Sequence, residues 1–95
     1  MNCQQIIFSQ HALQRMFERG IQTNAIRAVI ESGEVIGDYP DDRPFPSRLI
    51  LGWVGGRPIH VVIAIDVSSQ ECYIITAYDP DLAIWNPDLR TKRLP

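Results

Sequence analysis

Lysine occurs once in this chain, cysteine and histidine twice each, and no apolar run is longer than the five residues Val61–Ile65. A membrane helix needs about 20 apolar residues, so none of these runs can span a bilayer. Met1-Asn-Cys-Gln-Gln lacks the basic stretch and apolar core of a secretory signal. Cys3 and Cys72 are too few and too far apart for a disulfide framework or a cysteine-based zinc site, and read as reduced thiols of a cytoplasmic protein. His11 and His60 are also far apart, with no carboxylates at ligand spacing, so no metal is expected. No nucleotide-binding or hydrolase fingerprint is present, and no cofactor is expected.

What is there describes one folded domain, residues 1–95. Apolar residues make up 45% and charged residues 21%, which suits a soluble globular chain. The net charge of −2 is unlike the basic footprint of a general nucleic-acid coat. Charge is uneven along the chain. Glu34, Asp38, Asp41 and Asp42 make the stretch 34–46 acidic, and Arg90, Lys92 and Arg93 give a basic end. Eight of the nine basic residues are arginine, whose planar fork suits phosphate or carboxylate.

Gln4–Phe8 reads as a short extended entry. Ser9 is placed to cap a helix over Gln10–Arg19, where Ala12, Leu13, Met16 and Phe17 form one apolar stripe and Gly20 is the stop. Thr23 is placed to cap a second helix from Asn24 to about Ser32, with Ala25, Ile26, Val29 and Ile30 inward and Gly33 ending it. Glu34–Tyr39 alternates as a strand, and Pro40, Pro44 and Pro46 make the following segment a stiff loop. Ser47–Val54 and Arg57–Asp66 flank Gly55-Gly56, a strong hairpin signal. After a turn at Val67–Gln70, Glu71–Asp79 is the last strand. The expected fold is α+β, with two N-terminal helices on one face of a four-stranded curved antiparallel sheet.

His60 interrupts the most strand-like run of the chain. Alternation puts Ile59, Val61, Ile63 and Ile65 on the face that meets the helices, and His60, Val62, Ala64 and Asp66 on the opposite, partly open face. A two-residue hairpin turn sets His60 against Leu51. The Val67–Gln70 turn leaves the next register open, so either Thr76 and Tyr78 or Tyr73 and Ala77 share its face. On the first helix, His11, Arg15 and Arg19 line one edge of the apolar stripe. Two imidazoles and two guanidiniums beside a phosphate suffice for metal-independent RNA cleavage. One imidazole would take the ribose 2′-OH proton, the other would protonate the leaving 5′-oxygen, and arginine would stabilise the transition state.

Three runs resemble an uncharacterised prokaryotic family, the domain of unknown function (DUF) 4258. They are Ser9-Gln-His11-Ala12-Leu-Gln-Arg15-Met16-Phe-Glu-Arg19-Gly20-Ile21, Arg57-Pro58-Ile-His60-Val61-Val62, and Ile74-Ile75-Thr76-Ala77-Tyr78-Asp79-Pro80 with Trp85 beyond. The resemblance implies a compact α+β domain similar to RelE-like or barnase-like ribonuclease toxins. On that basis His11 and His60 would share the acid and base roles, and Arg15, with Arg19 assisting, would hold phosphate. Tyr78 or Thr76 would orient it. The implied substrate is RNA, and the implied partner is a small antitoxin protein. Toxins of that kind are typically basic, whereas this chain has a pI near 5.5. Two readings follow. One is a toxin-type endoribonuclease. The other is a non-catalytic interaction module of the same fold, whose histidines and arginines form a buried network tying the first helix to the sheet.

Overall fold

The Ser9 hydroxyl accepts the Ala12 amide at 3.0 Å and so starts the first helix, α1 (Gln10–Glu18), directly after a four-residue strand, β1 (Gln5–Phe8). The computed structural model describes residues 2–94; Met1 and Pro95 lie outside the described residues. Gly20, at φ +65°, turns the chain out of α1 into α2 (Thr23–Ser32). Thr23 is the first residue of α2 rather than its cap: Gln22 holds the cap position and makes no side-chain bond there. Four strands follow, β2 (Glu34–Tyr39), β3 (Ser47–Val54), β4 (Arg57–Asp66) and β5 (Glu71–Tyr78). The β3–β4 turn is Gly55-Gly56, and both residues have positive φ (58° and 81°), as a tight hairpin turn requires.

The sheet order is β1-β5-β4-β3-β2. This corrects the expected four-stranded antiparallel sheet: there are five strands, and β1 runs parallel to β5, from Gln5 opposite Glu71 to Phe8 opposite Ile74. The α+β class stands. A run as short as Gln5–Phe8 carries too little periodicity to announce itself as a strand, and its partner lies at the far end of the sequence. The same pairing brings Cys3 and Cys72 together as a disulfide with Cα atoms 5.6 Å apart. The cysteines are therefore not the free thiols expected, and they lend no support to a cytoplasmic location. Among the described residues, no helix is long and apolar enough to cross a membrane.

The main core lies between the helices and one sheet face. Ala12, Met16, Ile26 and Val29 pack there with Ile59, Val61, Ile63 and Ala77. α1 lies over β5, and α2 lies over β3 and β4. The α1 stripe is narrower than its sequence suggests. Ala12 and Met16 are buried with Ile21 in the main core, whereas Leu13 is 41% and Phe17 87% exposed. A smaller core of Leu49, Leu51, Trp85 and Leu89 forms on the opposite face. Its last two residues come from the C-terminal segment, which folds back across the sheet.

Candidate functional site

His60 belongs to that second face. The β3–β4 register sets it opposite Leu51, and the β4–β5 register sets it opposite Tyr78. A register shift beside Val62 and Ile63 leaves Ile75 without a partner on β4, so Thr76 faces Val62. The face is not open at this point: His60 is 0% exposed. Asp81 starts a turn by accepting the Ala83, Ile84 and Trp85 amides, and Trp85 then stands edge-on to the imidazole at 4.6 Å. The Asp88 carboxylate holds the next turn through the Arg90 and Thr91 amides, placing the Leu89 carbonyl 2.8 Å from His60 Nε2. Arg90 fixes the segment to β2 through Glu34, with both carboxylate oxygens 3.0 Å from Nε.

The hydrogen bonds assign the tautomer. A carbonyl only accepts, so Nε2 carries the proton, and Nδ1 is left to accept the Tyr78 hydroxyl at 3.3 Å. Burial pushes the imidazole pKa down, with the Leu89 carbonyl opposing that shift. Burial, and secondarily the Tyr39 phenol, push Tyr78 up. The pair is thus a neutral imidazole behind a neutral phenol, with no ring nitrogen free for a substrate.

The α1 edge lies on the other side of the sheet. Arg19 Nη1 donates to the Ala77 carbonyl at 2.7 Å and to Thr76 Oγ1 at 3.2 Å, where β5 has run past the end of β1. Arg57, at the start of β4, completes the junction. Its guanidinium donates to the Arg19 and Gly20 carbonyls, both at 2.8 Å, and forks onto Asp79 at 2.7 and 2.9 Å. The fork holds the Asp79 carboxyl below the usual carboxylate range. One guanidinium therefore caps the end of α1 and ties it to the start of β4 and the exit of β5. Arg57 and Asp79 stood in the sequence as the arginine opening one strand and the aspartate closing the next. They carried no periodicity or motif logic that would have paired them.

The structure thus brings His60 to Tyr78 and Arg19 to Thr76. It does not bring His11 to His60. α1 packs into the helix-side core while His60 is sealed into the opposite one, so the two imidazoles have the sheet between them. An acid–base role shared by His11 and His60 has no geometric basis here. The His11 and Arg15 side chains are exposed and make no side-chain hydrogen bond or ion pair among the described residues. No group of three or more metal-ligating side chains occurs among the described residues. A groove of about 460 Å³ lies between α1 and the start of α2, lined by Leu13, Met16, Phe17, Ile21 and residues 22–24. None of the candidate site residues lines it.

Two helices on one face of a mixed five-stranded sheet, with a C-terminal strap over the other, define a small α+β domain stapled by arginine forks. The chain belongs to the family described as Domain of unknown function (DUF4258), whose model matches residues 8–79. The strap that covers His60 lies beyond that match. No curated protein and no solved structure matches the chain.

Proposed function

We propose that this domain is a small non-catalytic protein-interaction module. The observation that carries this reading is the sealed His60, with both ring nitrogens bonded and Trp85 against the ring. Arg19, Thr76 and Tyr78 are likewise occupied in bonds that hold the fold. The outer surface of α1, where His11 and Arg15 are exposed, is one surface left open to a partner. The test is inducible expression in a bacterial host, with growth and total RNA followed over time. Undisturbed growth and intact RNA are the expected outcome. Growth arrest with RNA loss, both abolished by His11→Ala, would overturn the reading.

A second reading is favoured by one observation: His11 and Arg15 stand exposed one helical turn apart. On this reading the chain is a toxin-type endoribonuclease acting on RNA without a metal and restrained by a small antitoxin. His11 would carry the proton transfer and Arg15 would hold the phosphate, with Arg19, Thr76, His60 and Tyr78 holding the framework. Kinship with RelE-like or barnase-like ribonucleases rests on the sequence resemblance alone. This reading places the protein in the cytoplasm, where the Cys3–Cys72 bond would be reduced. The same expression experiment separates the two.

A further inference from the structure

β1 is lightly held. It sits at one edge of the sheet, pairs only with β5, and has four residues, none of them buried. Ile6 and Phe8 pack against the main core from its rim, whereas the buried members of that core begin at Ala12. At the N-terminal end of β1 the Gln4 amide donates to the Gln70 carbonyl at 2.8 Å, and the two glutamine side chains meet at 3.3 Å on the surface. The covalent tie at that end is Cys3–Cys72, which joins the residue two before β1 to the second residue of β5. The two sulfurs differ in access. Cys72 is 0% exposed, but Cys3 is half-buried and lines a cleft of about 220 Å³ with Asn2, Ile6, Arg27, Ile30 and Glu31. A small thiol can therefore reach the bond from the Cys3 side.

We propose that Cys3–Cys72 is a redox-sensitive latch on β1, opened by a low-molecular-weight thiol that attacks Cys3. The attacking thiolate bonds to Cys3 Sγ, and the electron pair of the broken S–S bond leaves on Cys72 Sγ, which takes up a proton. A second thiolate attacks the outer sulfur of the mixed disulfide, so Cys3 departs and is protonated while the reductant leaves as its own disulfide. Two reductant thiols are oxidised and one protein disulfide is reduced. Before reduction β1 is pinned at both ends, by the bond and by the Ser9 cap of α1. Afterwards it is an arm held at one end, with few contacts to offset the freedom it regains. The two helices and β3–β5 share a core of their own, so β1 leaves without them. Its departure bares the edge of β5 from Glu71 to Ile74, a row of strand donors and acceptors that the oxidised chain covers. The latch operates in the same way whether the chain binds a protein or acts on RNA.

Hydrogen exchange of the native chain, with and without dithiothreitol, tests the latch, and Cys3→Ser serves as the permanently open form. Reduction should speed exchange of the hydrogen-bonded amides in Gln5–Phe8 by about 100-fold, the scale of a typical cross-link, and low urea should not change that rate. Amides of Ile59–Ile63 in β4 should stay slow. Cys3→Ser should match the reduced chain in either buffer. With reduced glutathione in place of dithiothreitol and an acid quench, mass spectrometry should find the mixed disulfide on Cys3. Unchanged protection of β1 after complete reduction would overturn the proposal, as would β1 and β4 losing protection together. So would an adduct on Cys72, or a bond that yields to the thiol only once the chain is denatured.

Discussion

Replacing His60 with alanine removes the group on which the C-terminal strap is seated. The deletion empties a ring-sized space beneath Trp85, and aromatic-to-alanine changes in cores cost about 3–5 kcal/mol. It also leaves the Leu89 carbonyl without its donor and the Tyr78 hydroxyl without its acceptor. A buried group left unsatisfied costs about 1–3 kcal/mol, although water entering the space offsets part of that. A loss of about 4 kcal/mol is expected. A domain of this size holds only about 5–14 kcal/mol in total, so the variant keeps little margin. Urea unfolding should show a much lower midpoint, and the melting temperature should fall by roughly 15–30 °C. Trp85 fluorescence should shift to the red as the strap loosens. His60→Phe separates the two contributions, because it fills the space but still orphans the Leu89 carbonyl; its cost should be about 1–3 kcal/mol. A His60→Ala variant within about 1 kcal/mol of wild type would show that the imidazole does not hold the strap.

Stability should depend on pH through the same ring. The folded pKa of His60 lies below the ordinary 6.5, so the unfolded chain binds the extra proton first as pH falls. This contribution is fully present above about pH 6.5 and declines below it, by at most about 1.4 kcal/mol per pH unit, until the folded pKa is reached. Urea midpoints between pH 7.5 and 5 should trace that decline, and His60→Phe should remove its share of it. Asp79, depressed by Arg57, contributes in a lower window that opens near its ordinary 3.8. Two glycines should also separate. A Cβ at Gly33 would run into the Val29 carbonyl and lie 2.8 Å from the Leu51 carbonyl, so Gly33→Ala should cost about 3 kcal/mol. At Gly20 a Cβ meets nothing, and only its positive φ matters, so Gly20→Ala should cost about 1 kcal/mol.

The parts of the fold legible in the sequence are those with a period. Both helices, the β3–β4 hairpin through Gly55-Gly56 and the aliphatic face of Ile59, Val61 and Ile63 follow from spacing and turn chemistry. Leu51 opposite His60 follows from counting across a two-residue turn. What escaped lacks a period. β1 is too short, and its parallel partner is the last strand. The Cys3–Cys72 bond depends on that pairing and was hidden with it. The strap is built from two turns held by Asp81 and Asp88, and only Trp85 and Leu89 reach the core. No alternation marks such a segment. Its invisibility left the face of His60 looking open.

The candidate site shows the same division. The arginine and histidine spacing on α1 was readable, but which of those residues the fold would use was not. Arg19 turns back to the Ala77 carbonyl because β1 ends at Phe8 and leaves that edge of β5 bare. Phe17 reads as core by its position in the stripe, yet Met16 and Ile21 join the core and Phe17 stays outside it. For Arg19 the deciding contact comes from β5, an element that the local sequence does not contain.

Nitrogen-15 NMR of the two imidazoles, recorded from pH 7.5 to 5, asks directly whether His60 belongs to the fold or to a reactive site. The proton should reside on Nε2, with Nδ1 as acceptor, and the ring should stay neutral as pH passes through 6.5. An Nδ1–H tautomer, or a His60 that titrates at the ordinary 6.5, would contradict the sealed imidazole and return that residue to the chemistry of a site.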